Sequence, residues 1–144
     1  MNQGFAQAAT IYAFGDSFPS ALPLWGTYAA GALLMAAGTF YKVWAADTTG
    51  LDTYYCRDMF LDRPLGAAGE LVVSGPYRHV RNPMYSVGNL HAYGWAIWSR
   101  SLEGLAVAAV FQAGIYVFYY TCERPFIRRI YPQADTTATR VAVT

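Results

Sequence analysis

Residues 75–85 read Gly75-Pro76-Tyr77-Arg78-His79-Val80-Arg81-Asn82-Pro83-Met84-Tyr85, and two apolar runs follow at once, YSVGNLHAYGWAIW over 85–98 and LEGLAVAAVFQAGIYVFYY over 102–120. The opening stretch holds two arginines, one histidine, one asparagine and two tyrosines, groups that bind anions and stack on rings. Gly75-Pro76 marks a turn ahead of it, and Pro83 fixes the backbone near its end. The second apolar run ends on Glu123. A basic loop and a lone acid thus bracket two hydrophobic segments. That order predicts a membrane hairpin with its polar groups gathered at one mouth.

Composition supports a membrane setting. A soluble domain carries about 25% charged residues, whereas this chain carries 13%, beside 55% hydrophobic and 17% aromatic residues. Its mean hydropathy is +0.19. At 144 residues it has the length of one domain. A net charge of +1 provides no field that recruits nucleic acid. Cys56 and Cys122 form neither a CxxC pair nor a Cys/His cluster, so no metal site is expected, and both thiols are read as free in a reducing compartment. No Lys or Arg precedes Lys42, so the basic n-region of a cleavable signal is missing.

Working outward, residues 22–44 (LPLWGTYAAGALLMAAGTFYKVW) are long enough to cross a hydrocarbon core of about 30 Å. Trp25 and Tyr28 lie near one end, Tyr41 and Trp44 near the other, as aromatic belts would. Gly31, Ala32, Ala36, Ala37 and Gly38 offer small faces for close helix packing. Residues 45–84 form the polar loop. Within it Tyr54, Tyr55, Met59 and Phe60 suggest one face of a short interfacial helix, with Arg57, Asp58, Asp62 and Arg63 turned to water. Leu71-Val72-Val73 is an apolar patch suited to docking the loop. Spans are expected over 85–99 and 102–122, with Pro83 suiting the first helical turn. The polar residues inside them, Asn89, His91 and Gln112, fit helix–helix hydrogen bonds best. Residues 123–132 read as a basic amphipathic surface helix, and the Thr/Ala-rich tail as loose. Phe5 to Phe14 is too short to span and reads as an interfacial helix or a frayed end.

The charges orient the chain. Lys42, Arg57, Arg63, Arg78 and Arg81 lie in or beside the central loop, and Arg124, Arg128, Arg129 and Arg140 follow the second apolar run. Only Arg100 sits at the hairpin tip. The positive-inside rule then puts the central loop and C-terminus in the cytoplasm and the N-terminus outside. The expected fold is all-α, a polytopic membrane helical bundle of about three spans over a single domain, 1–144. Arg78, His79 and Arg81 suit a carboxylate or phosphate. Glu123 suits a cation or ribose hydroxyls. The tail arginines suit anionic lipid head groups.

The run GPYRHVRNPMYSVG, followed by a hydrophobic hairpin and then ERPFIRRIY, resembles the integral-membrane methyltransferases, over roughly residues 69–131. That superfamily groups isoprenylcysteine carboxyl methyltransferases with phospholipid N-methyltransferases, and NPMYSVG with Gly94 and Ser101 leans toward the phosphatidylethanolamine branch. The resemblance implies an S-adenosylmethionine pocket at the cytoplasmic mouth. Arg78, His79 and Arg81 would serve the cofactor carboxylate. Asn82, Pro83 and Tyr85 would shape the wall, and Gly88 would let the cofactor approach. Glu123 would bind the cofactor's amino group or ribose. A lipid would enter sideways from the bilayer, and Glu123 or His79 would accept the proton of its amine. Carboxyl methylation of an isoprenylated cysteine, a sterol-reductase-like use of NADPH and a non-catalytic membrane protein are the competing readings. The chain departs from the family pattern at Arg124, where a second Glu is usual, and in its ending, where Pro132 and a Thr-rich tail stand. Asn82 occupies a position where many members have His. Three spans are fewer than the family leads one to expect. Completing the pocket then falls to a second protomer in a homo-oligomer, or to the N-terminal segment folding against the hairpin.

Overall fold

A stripe of small residues decides how the helices meet. In α2 (Leu24–Thr49) the buried positions are Thr27, Gly31, Gly38 and Ala45, spaced four, seven and seven residues apart. That spacing keeps them on one helical face. The face packs on α4 (Leu90–Trp98), whose buried residues are Ala92, Gly94 and Ala96. The approach is backbone to backbone. A Cβ on Gly31 would stand 2.7 Å from the Trp98 amide nitrogen, and one on Gly94 would stand 2.5 Å from that of Met35. One on Gly38 would collide with the His91 backbone. Gly31 therefore opposes the end of α4 and Gly38 its beginning, so the two helices run antiparallel. Ala36 and Ala37, expected on the packing face, are exposed. They sit off the 31–38–45 line.

This computed structural model describes residues 2–19, 22–51, 57–63, 72–80 and 82–131. The remaining elements are α1 (Asn2–Phe14), α3 (Arg57–Leu61), 3-10 turns at Gly75–Arg78 and Val87–Asn89, α5 (Leu102–Phe118), a π-helical turn at Tyr119–Glu123, and α6 (Arg124–Ile130). Among the described residues every regular element is helical, as the sequence leads one to expect. Tyr54, Tyr55, Cys56, Leu71, Arg81, Pro132 and the tail lie outside them.

Local chemistry sets the boundaries. Gly50, at φ 79°, closes α2, and its N–H returns to Ala46. Ser101 opens α5, its Oγ accepting from the Gly104 N–H at 2.9 Å. The α5 helix does not stop at Glu123 to begin a separate surface helix. It continues through the π turn into α6, giving one run from Leu102 to Ile130 of 29 residues whose most apolar window has mean hydropathy 1.5. It is long and apolar enough to cross a membrane, and only 6% of its most apolar window is buried. The segment expected to span at 85–99 is instead a turn, a 3-10 turn and the nine-residue α4. Nine residues reach about 14 Å, half a hydrocarbon core. The helix starts late because residues 82–88 spend their backbone bonds on turns. The Tyr85 and Ser86 amides return to the Asn82 carbonyl, and the Gly88 amide to that of Pro83.

The N-terminal segment is a 13-residue helix packed on α5 and α4, folding against the hairpin as one of the expectations had it. Gln7, 1% exposed, donates from Nε2 to the Ala92 carbonyl at 2.7 Å and ties α1 to α4. Asp58 does not face water. It is buried, with Oδ1 accepting from the Met59 amide at 2.9 Å and Tyr131 Oη 3.4 Å from Oδ2. The turn of α3 that exposes Phe60 carries Asp58 inward.

Candidate functional site

The basic loop is fastened to the C-terminal end of α2. Gly75, at φ 58°, sits where a Cβ would lie 2.7 Å from Thr48 Oγ1 and 3.3 Å from Trp44 Nε1. Pro76 is buried, and its carbonyl accepts from the amides of His79 and Val80 at 3.2 and 3.0 Å. Only glycine combines that left-handed backbone with that contact. Beyond this anchor Arg78 and His79 are exposed. Arg81 lies outside the described residues.

The next turn aims Tyr85. The Asn82 carbonyl accepts from Ser86 Oγ at 2.7 Å, and Pro83 is fully buried. The Tyr85 carbonyl accepts from Gln112 Nε2. Gln112 Oε1 in turn accepts from Asn89 Nδ2. The two amides read from sequence as helix–helix glue therefore form a relay that ends on Tyr85. The Tyr85 ring meets that of Tyr119 edge-on, with centroids 6.2 Å apart.

Tyr85 and Glu123 come together. The Tyr85 hydroxyl lies close to the Glu123 carboxylate, and the Asp58 carboxylate is near enough to repel it. Glu123 Oε2 is buried and has no hydrogen-bond partner among the described residues. Buried polar atoms are nearly always partnered, and an open carboxylate oxygen is what a cationic or hydroxyl group of a ligand would complete. Glu123 also closes the π turn Tyr119–Glu123. Such single π turns are frequent at functional sites.

Gly88 behaves differently from its expected role. A Cβ there would lie 2.8 Å from the Pro83 carbonyl and 2.9 Å from Lys42 Cγ, so the space beside it is taken by Lys42. Lys42 is half-buried and makes no hydrogen bond or ion pair among the described residues. Its one sequence signal is that it is the only lysine in the chain. Nothing in the sequence singles out Asp58, the other charged group the site gains. Arg124 stacks over the Tyr120 ring at 5.8 Å.

A family model described as phospholipid methyltransferase matches residues 26–134. Proteins named phosphatidylethanolamine N-methyltransferase are similar to this chain. That of Lodderomyces elongisporus is 32% identical over 108 residues, 75% of this chain and 12% of its own length. That of Debaryomyces hansenii is 34% identical over 101 residues, 70% of this chain and 11% of its own. That of Scheffersomyces stipitis is 36% identical over 98 residues, 68% of this chain and 11% of its own. The chain thus spans about an eighth of the length of these relatives. No solved structure matches.

Proposed function

Because the chain belongs to the phospholipid methyltransferase family, we propose that it transfers a methyl group from S-adenosylmethionine to the amine head group of a membrane phospholipid such as phosphatidylethanolamine. The observation that carries this reading is the buried, unpartnered Oε2 of Glu123 beside the Tyr85 hydroxyl. A cofactor with a positively charged amino group and ribose hydroxyls supplies the partner that this oxygen lacks. Glu123 holds that group, and Tyr85 keeps the carboxylate in place. Arg78, His79 and Arg81 take the cofactor carboxylate, with Lys42 as a further cation on the same side. Asn82 and Pro83 set the direction of Tyr85, and Gly88 leaves room for the Lys42 stem.

When bound, the cofactor supplies a methyl carbon on a sulfonium, already a good leaving group. The protein's part is therefore positioning and charge placement. The head-group nitrogen must shed one proton for each methyl it gains, and that proton is what this chain's own residues would take. Two groups can take that proton: the Glu123 carboxylate and the exposed imidazole of His79.

The reading includes a membrane setting. Leu102–Ile130 crosses the bilayer, and α2, at 26 residues or about 39 Å, crosses it packed on α4. Trp25, Leu33, Phe40 and Val43 of α2, and Val110 and Val117 of α5, are all exposed apolar side chains that lipid would cover. The basic loop and C-terminus face the cytoplasm. The test is incorporation of the labelled methyl of S-adenosylmethionine into phosphatidylethanolamine by the full chain in vesicles. Labelled mono-, di- or trimethylated product is expected. Its absence from a folded protein that binds the cofactor would exclude this substrate. A pH–rate profile of His79→Gln then separates the two proton acceptors.

A further inference from the structure

An apolar groove of about 520 Å³ runs along the exposed side of α5, lined by Tyr85, Val110, Phe111, Gly114, Ile115 and Phe118. We propose that it seats one acyl chain of the lipid whose head group is at the Glu123 mouth, with Gly114 as its floor. This inference rests on the proposed methyl transfer and names how its substrate is held.

Three observations meet here. The groove and the mouth share Tyr85, which lies close to Glu123 and also lines the groove. A head group at Glu123 therefore has an apolar path leading away from it. The groove spans Val110 to Phe118, nine residues and about 12 Å of helix axis. That is close to the roughly 15 Å half-thickness of a hydrocarbon core, the depth of one leaflet's chains. The third is Gly114 itself. Glycine weakens a helix interior. Gly31, Gly38 and Gly94 are each required because a Cβ would strike a neighbouring backbone. A Cβ on Gly114 would meet nothing within 4 Å, and its φ is not in the left-handed region. Among the described residues nothing asks for glycine there, and an occupant lying over it would.

The test uses the full chain in phosphatidylcholine nanodiscs. The probe is phosphatidylethanolamine carrying a photoreactive diazirine midway along one acyl chain. Saturable labelling of residues 110–118, displaced by unlabelled phosphatidylethanolamine, is expected. Gly114→Leu should cut that labelling about tenfold while S-adenosylmethionine binding stays within about twofold. Val110→Trp, at the far end of the groove, serves as the second variant should Gly114→Leu fold poorly. Labelling that does not saturate, or that phosphatidylglycerol displaces equally well, would make the groove ordinary annular surface and overturn the proposal. So would a Gly114→Leu protein that labels normally, or one that changes oligomeric state, since the occupant is then a second copy. Cofactor binding without saturable labelling overturns the groove and leaves methyl transfer standing. Saturable labelling without any cofactor binding does the reverse.

Discussion

The two ends of the long helical run differ in how their charges are matched. Leu102 and Glu123 lie about 32 Å apart along it, and Arg100 stands just ahead of the first. At the first end Arg100 is 6% exposed and fully engaged. Its Nε donates to Asp16 Oδ2 at 2.8 Å, and its Nη atoms donate to the carbonyls of Leu22 and Pro19 at 3.2 and 3.4 Å. Its side chain lies over the Phe18 ring, and its own carbonyl accepts from the amides of Ser17 and Phe18. Ser17 Oγ reaches Glu103 and caps the Leu102 amide. At the other end Glu123 keeps a buried open oxygen, and Lys42 has no counter-ion among the described residues. Arg78 and His79 stand exposed. A buried charge without a partner costs stability. One end has spent its polar groups on holding the loop between α1 and α2 to the α4–α5 turn. The other carries unsatisfied groups, which is the state of a site awaiting a ligand.

Substitutions can break this contrast, beginning with the largest effect. Arg100→Ala strands the Leu22 and Pro19 carbonyls and should cost about 2–3 kcal/mol of stability in a detergent unfolding measurement. Cofactor affinity in the protein that remains folded should be preserved. Loss of affinity at unchanged melting would mean that this end also serves the ligand. Glu123→Gln should do the opposite, weakening S-adenosylmethionine at least about tenfold, or about 1.4 kcal/mol. Its melting temperature should hold or rise, because a buried charge is removed.

A smaller effect comes from Asp16. The hydrogen bond and charge of Arg100 hold its carboxyl below the usual carboxylate range. A depressed folded value means stability that is present above the unfolded value, near pH 4, and lost as pH falls through the folded one. Melting followed from pH 7 to pH 3 should therefore drop more steeply in the wild type than in Asp16→Asn. Parallel curves would remove Asp16 from the clamp. Arg128→Gln should have the least effect, leaving cofactor affinity within about twofold, since its exposed side chain is assigned to lipid head groups. Equal weakening by Arg128→Gln and Glu123→Gln would erase the distinction between site and surface.

The sequence carried the class of fold and the meeting of the two motifs further than it carried the packing. An apolar pattern of helical length is enough to predict α2 and α5. The bracket from Tyr85 to Glu123 is legible because an antiparallel pair returns the chain to where it began. Ala36 and Ala37 were misplaced because a helix apolar on nearly every side gives no period to pick a face. Only the seven-residue spacing of Gly31, Gly38 and Ala45 marks it. The α4 helix falls short of its expected span because turns take residues 85–89, the first five of the apolar run, and hydropathy does not register turns. Gln7, Lys42 and Asp58 owe their roles to long-range partners. No local signal distinguishes a glutamine that ties two helices from one that faces water.

The most direct measurement is titration of labelled S-adenosylmethionine onto the detergent-purified full chain, with S-adenosylhomocysteine as competitor and Glu123→Gln alongside. If the Glu123 end is a ligand site, the wild type binds saturably. The variant then loses at least about tenfold in affinity at an equal or higher melting temperature. Equal binding by both proteins, or none by a folded wild type at millimolar cofactor, would contradict it.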